Sequence, residues 1–210
     1  MLDTAPELAG AAADMLSELG LEPVPFASVR EFIGKGAAHL VRCTLQASLG
    51  RSPDERRVGD GLESFFVHYE KRNGRDAAVY PGTREGLTAL RAAGFGLACV
   101  TNKPARFTAP LLERVGLAGF FSATISGDTL ARKKPWPDPL LAACKLLGVP
   151  PAQALMIGDS ANDARAARAA GCPVLLVPYG YLEGATVQDI DCDGIVDSVL
   201  HAAGLLNIQS

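Results

Sequence analysis

No stretch of this chain stays apolar for the roughly 20 residues that a bilayer-crossing helix requires. The apolar runs, Val174 to Val177 among them, are strand-sized, so no membrane span and no membrane partner are expected. Residues 1–20 hold no Lys or Arg, and the positively charged flank of a secretory leader is therefore missing. A cytoplasmic location is the default expectation. The five cysteines (Cys43, Cys99, Cys144, Cys172, Cys192) include no C-x-x-C pair, which excludes the common zinc and dithiol patterns and leaves buried free thiols. The three histidines (His39, His68, His201) are too scattered for an H-x-x-x-H pair, so any metal is expected on oxygen ligands. There is no surplus of positive charge either. With 20 Lys and Arg against 23 Asp and Glu the formal net charge is −3, which gives no electrostatic footprint for nucleic acid. A small-molecule substrate is the expected partner.

Nucleotide-binding loops are also lacking. The Gly34-Lys35-Gly36 turn has Val29 where a phosphate-binding loop needs its first glycine, and Gly36 where it needs Ser or Thr. Gly94-Phe95-Gly96 precedes an apolar run instead of following one, which is the wrong side for a dinucleotide fingerprint.

What is present is enough for one full core and a smaller module: 210 residues, 48% of them hydrophobic. Residues 4–20 read as a helix, with a Thr4-x-x-Glu7 capping box, Leu8, Ala12, Met15, Leu16 and Leu19 on one face, and Gly20 as its stop. Helical patterns continue over Phe32 to Leu49 and Leu62 to Lys71, which makes residues 5–78 an all-helical module. After Tyr80-Pro81-Gly82 the pattern changes to short apolar runs alternating with helices. The runs are 96–100, 154–157 and 173–177, with weaker ones at 123–126 and 194–196; the helices are 83–93, 105–115, 139–147 and 161–170. Such alternation predicts a parallel sheet covered on both faces, whose ligands bind at the carboxyl ends of the strands.

Two of the strands end in residues suited to phosphate and a hard cation. Val100 leads into Thr101-Asn102, where a hydroxyl and the next backbone amide can bind a phosphoryl oxygen; capping of the following helix accounts for Thr101 equally well. Ile157 leads into Gly158-Asp159, a carboxylate placed to hold Mg2+, although an ordinary loop aspartate fits the same pattern. Asp163 lies one helical turn on, within a Ser160-to-Asp163 capping box that already explains it structurally. In Lys133-Lys134-Pro135-Trp136-Pro137 the prolines stiffen a segment that can hold a lysine in place, while lysines in loops are usually just solvated.

Read in order, the strand ending in Thr101, the K-P-x-P at Lys134 and the G-D-S-x-x-D with Asp159 and Asp163 resemble three of the motifs of the haloacid dehalogenase superfamily. The segments LDTAPEL, VREFIGKGAAHLV, YPGTREGLTALRAAG, VTNKP, KKPWPDPLL and YGYLEGATVQDIDCDGIVDSV are similar to bacterial phosphoglycolate phosphatases over nearly the whole chain. The resemblance implies an α/β fold with a Rossmann-like, three-layer core (residues 79–210 with 1–4) and an inserted all-helical cap (5–78). It implies Mg2+-dependent hydrolysis of 2-phosphoglycolate through an aspartyl-phosphate. Thr101 and Asn102 would bind phosphate, Lys134 would neutralise nucleophile and phosphate, Asp159 would hold Mg2+, and Asp163 would complete the catalytic set. Lys35 would meet the substrate carboxylate from the cap; an exposed lysine in a helix-breaking turn accounts for it equally well. No cofactor beyond Mg2+ is implied.

One part of the family pattern has no counterpart. The family's opening strand ends D-x-D-G-T, with the attacking Asp and the acid–base Asp, whereas this sequence starts Met1-Leu2-Asp3-Thr4, matching the residues just after it. Asp3 has too little chain before it to be held in line for attack. The expectation is a core whose central first strand is missing and a chain that, as given, turns over little or nothing. A phosphatase for another small phosphate ester and a non-catalytic phosphate-binding relative are the alternatives.

Overall fold

The computed structural model describes residues 1–180 and 186–206. The chain divides into two compact units, one of residues 2–78 and one of Met1 with residues 79 onward. No helix among the described residues is long and apolar enough to cross a membrane.

In the first unit, β1 (Leu2–Asp3) leads into α1 (Ala5–Glu18), followed by α2 (Phe26–Glu31), α3 (Ala37–Leu49), α4 (Glu55–Arg72) and the start of β2 (Ala78–Val79). α4 packs against α1 and α3. Met15, Leu16, Leu45, Phe65 and Tyr69 are fully buried among them, with the Phe65 and Tyr69 rings stacked at 5.7 Å. Two expectations are corrected here. The helix expected over Phe32 to Leu49 begins only at Ala37, because Gly34 and Gly36 take positive φ (118° and 95°) and end the helical path. The Thr4–Glu7 capping box does not form, and Thr4 makes no side-chain cap bond. Instead the Asp3 carboxylate accepts the Ala5 N–H at 3.0 Å. The fully buried Glu7 turns inward to accept the N–H groups of Asp76 and Ala77 at 2.9 and 3.1 Å.

The second unit alternates α5 (Thr83–Ala92), β3 (Ala98–Val100), α6 (Ala105–Arg114), β4 (Ala123–Ile125), α7 (Asp138–Leu147), β5 (Met156–Gly158), α8 (Ala161–Ala170), β6 (Val174–Leu176), β7 (Gly194–Ile195) and α9 (Val199–Leu206). β3 pairs with β4 in parallel, and β5, β6 and β7 pair in parallel in that order. β6 separates two apolar layers. Val174 and Leu176 join Leu140, Cys144, Ala164 and Ala167 of α7 and α8, while Leu175 and Val177 meet Val196, just after β7, and Ala202 of α9. Alternate residues of a strand face opposite ways, so both faces of this α/β, Rossmann-like sheet are covered by helices. Among the described residues β3 and β5 are not hydrogen-bonded to each other: the ladder falls into two parts, β3–β4 and β5–β6–β7.

Candidate active site

The carboxyl ends of β3 and β5 carry the polar residues, and a loop between β4 and α7 reaches them. Thr101 continues the first ladder, its N–H donating to the Ile125 carbonyl at 2.9 Å. Its Oγ1 accepts the Lys103 N–H at 3.1 Å, which leaves the hydroxyl hydrogen as a donor. Thr101 does not cap the next helix. That role falls to Asp128, whose carboxylate accepts the Ala105 N–H at 2.8 Å.

Lys134 is only 8% exposed, so its ammonium must find partners inside. It donates to the Val100 carbonyl at 2.7 Å and to Asp163 Oδ1 at 2.6 Å. Asn102 holds the same loop from the strand side, its Nδ2 donating to the Lys134 carbonyl at 3.0 Å. Loop, β3 end and first turn of α8 are thereby tied together through one lysine.

Asp163 is 3% exposed and uses both oxygens. Besides Lys134 on Oδ1, its Oδ2 accepts the Asp159 N–H at 3.0 Å and the Ser160 hydroxyl at 2.9 Å. Half of the expected capping box forms, with the Ser160 side chain accepting the Asp163 N–H; the Asp163 carboxylate goes to the site instead. Two glycines make the close approach possible. A Cβ on Gly158 would lie 2.4 Å from Asp163 Cβ, and one on Gly180 would lie 2.3 Å from both Asp159 Cβ and its carbonyl oxygen.

The two carboxyl groups are driven apart electrostatically. Burial, followed by the Asp163 charge, pushes Asp159 up to about 6. Burial works to raise Asp163 too, but the Lys134 ammonium and the hydrogen bonds from Lys134, the Asp159 N–H and Ser160 hold it below the ordinary carboxylate range. The result is one fixed anion locked to a cation, beside a second carboxyl whose charge lacks a donor of its own among the described residues. That is the donor chemistry of a hard divalent cation bound through one or two carboxylates, with water and phosphate oxygens completing its shell. No group of three or more His, Cys, Asp or Glu side chains assembles among the described residues, so a site for a zinc-like ion built wholly from protein ligands is not what this set offers.

Thus Thr101, Asn102, Lys134, Asp159 and Asp163 all lie on the strand-end loops of the α/β unit and its first α8 turn; the contacts above join Asn102, Lys134, Asp163 and Asp159, and Thr101 sits beside them between Val100 and Asn102 in the chain. Lys35 belongs to the helical unit, exposed in the turn between α2 and α3. Residues 181–185, within the Y-G-Y-L-E-G-A-T run, lie outside the described residues. Sequence reasoning missed three participants. The Val100 carbonyl leaves no side-chain signal, and the Asp128 cap comes from a turn 23 residues away from its partner. Gly180 could have been suspected only as a glycine in a loop after a strand end.

A strand-end constellation of this kind on a Rossmann-like sheet defines a phosphoryl-handling hydrolase, and the comparisons agree. Residues 1–171 match the family model for haloacid dehalogenase-like hydrolases, and the chain belongs to that family. Within it, the chain falls among the phosphoglycolate phosphatases. It is 48% identical over 210 residues to the phosphoglycolate phosphatase of Nitrosospira multiformis, covering 100% of this chain and 92% of that one. It is 44% identical over 207 residues to a plasmid-borne phosphoglycolate phosphatase of Cupriavidus necator, covering 98% and 88%. The crystal structure of a predicted phosphoglycolate phosphatase from Haemophilus somnus superposes with a TM-score of 0.92 at 30% identity, covering 98% of this chain and 93% of that one. The protein is a phosphomonoesterase of haloacid dehalogenase type.

Proposed function

We propose that the substrate is 2-phosphoglycolate, hydrolysed to glycolate and phosphate with Mg2+ at Asp159. The convergence of Lys134 and Asp163 beside Asp159, next to the Thr101-Asn102 strand end, is the observation that carries this reading. Thr101 donates its hydroxyl, and Asn102 its backbone amide, to the non-bridging phosphoryl oxygens. Lys134 sets a positive charge where negative charge accumulates during transfer, and Asp163 fixes that ammonium in place. Mg2+, when bound, supplies charge neutralisation on the phosphoryl oxygens and template geometry. In this reading the role of pairing with the substrate carboxylate is assigned to Lys35 of the helical unit.

The attacking group in this reading is an aspartate on an additional strand between β3 and β5, preceding Met1, which forms and then loses an aspartyl-phosphate to water. The split between the two ladders supports it. The test is phosphate release from 2-phosphoglycolate by the 210-residue chain and by the same chain preceded by a strand ending D-x-D-G-T. Release is expected only from the extended form, dependent on Mg2+ and lost in Lys134→Met. Equal activity with and without the extension rejects the mechanism. A panel of small phosphate esters tests the substrate: a better ester than 2-phosphoglycolate by kcat/KM replaces it. Lys35→Ala is expected to raise KM for 2-phosphoglycolate and leave esters without a carboxylate unaffected.

A further inference from the structure

The loop that buries Lys134 has a second side. Lys134 points inward, while Trp136, two residues on, is 53% exposed. Its ring, together with Pro135 and Pro137, lines a groove of about 510 Å³ completed by Arg132 and by Arg165 and Ala169 of α8. None of Thr101, Asn102, Lys134, Asp159 and Asp163 lines it.

The composition of this groove is selective. Its floor is an indole flanked by proline rings, a flat apolar surface suited to a planar ring. Its surface is almost wholly apolar, with Arg132 and Arg165 among the residues that line it and no carboxylate among the described ones. Arg132 lies over the Trp136 ring at 4.9 Å and is paired with Asp138 at 2.9 Å. Arg165 is exposed and makes no ion pair among the described residues, leaving its planar fork for an incoming oxyanion. The volume lies within the range of small-molecule sites, roughly 300–1,000 Å³.

We propose that this groove is a second ligand site, taking an aromatic organic anion whose ring lies against Trp136 and whose phosphate or carboxylate is bound by Arg165. The charge pattern decides for this occupant. An uncharged ring would leave Arg165 unused, and an oxyanion alone would leave the proline rings and the part of the indole not covered by Arg132 without a partner.

Trp136 is the only tryptophan in the chain, so its emission reports on the groove directly. With AMP as the probe, in buffer containing EDTA to prevent turnover, saturable quenching is expected. Adenosine and inorganic phosphate, each carrying half of the recognition, are expected to bind at least about tenfold more weakly. Arg165→Gln, a change on the exposed face of α8, is expected to weaken AMP by roughly ten- to hundredfold, the range for one charge-assisted hydrogen-bonded contact, with an unchanged thermal melt. Trp136→Ala, followed by equilibrium dialysis, is expected to lose about tenfold or more through the missing stack. Four results overturn the proposal: no saturable change at millimolar AMP, or Arg165→Gln binding AMP as tightly as the parent. Inorganic phosphate alone reproducing the full signal would assign it to the Lys134 site. A change with protein concentration in the absence of ligand would assign the groove to a second copy of the chain.

Discussion

The helical unit and the α/β unit each hold a cluster of carboxylates and cations, and the two are built on opposite terms. On α1 and α4, Asp14, Glu18, Ser64, His68 and Arg72 meet at the surface. Ser64 donates to Glu18 at 2.8 Å, His68 lies 2.6 Å from Glu18, and Arg72 lies 2.7 Å from Asp14. A spacing of four along each helix aligns Asp14 with Glu18 and Ser64 with His68 and Arg72, and water reaches the carboxylates and Arg72: Glu18 is 57% exposed, and Asp14 and Arg72 are both 37% exposed. In the α/β unit, Lys134 and Asp163 are 9% and 5% exposed as side chains, with a second carboxyl, Asp159, alongside. The first cluster satisfies its charges with help from solvent. Lys134 and Asp163 have little solvent to fall back on, and the cluster leaves one half-buried carboxyl, Asp159, in surplus. A surplus charge in a closed polar cluster is a poor way to stabilise a fold and a good way to attract a cation.

The sharpest way to break this contrast is to remove one partner from each cluster. Lys134→Met leaves Asp163 buried and uncompensated, and a loss of about 3–5 kcal/mol in urea unfolding is expected. Adding Asp163→Leu, which removes the orphaned charge as well, should recover most of that loss.

Next in size is Asp159→Asn in metal-free protein. The folded Asp159 carboxyl keeps its proton up to about 6, whereas an unperturbed aspartate releases it near 3.8. Between those values the folded state binds more protons, so the ionised side chain opposes folding above pH 6, and its contribution to stability is regained as the pH falls toward 3.8. Asp159→Asn should therefore stabilise the fold at pH 8 in EDTA, on the order of 1–3 kcal/mol, with the gain shrinking below pH 6. Asp163 works the other way: its lowered value contributes stability that is lost only on acidification below 3.8. Urea midpoints at pH 8, 6 and 5 would test both signs, and an Asp159→Asn variant no more stable than the parent at pH 8 would contradict the surplus-charge account.

In the proposed reading, Mg2+ at Asp159 would compete with the same proton. The magnesium concentration giving half of the thermal shift should rise as the pH drops through 6, and the shift should vanish in Asp159→Asn. The smallest effect belongs to the surface cluster. Arg72→Ala is expected to move the urea midpoint by less than about a fifth of the Lys134→Met change, and 1 M salt should erase it while leaving the buried pair's effect in place.

How much of this was legible beforehand follows from the range of the interactions. The strands at 98–100, 123–125, 174–176 and 194–195 fell inside the apolar runs read from the sequence, and the strand at 156–158 ran one residue past its run, because buried parallel strands announce themselves by composition. α8 began at the expected Ala161, since its Ser160 cap is local. Where a distant partner outbids the local one, local reading fails. Glu7 fits a capping box, yet it is drawn to backbone N–H groups at 76 and 77; Thr101 fits a helix cap, yet Asp128 takes that place. The residues gathered at the strand ends were named from their order along the chain. That Lys134 would bond to both the Val100 carbonyl and Asp163 is a fact of three dimensions with no trace in spacing.

The two-sided burial of β6 has a consequence for how this protein tolerates change. On an amphipathic helix such as α4, a scan of polar replacements should show a rhythm, with harmful positions recurring every three to four residues and permissive ones between. Along Val174 to Val177 no such rhythm can exist, because even and odd positions both end in apolar layers. Val174, Leu176 and Val177 should be closed to Asp, Lys or Asn, and the partly buried Leu175 should be nearly as restrictive, which makes this short strand hard to edit at every position.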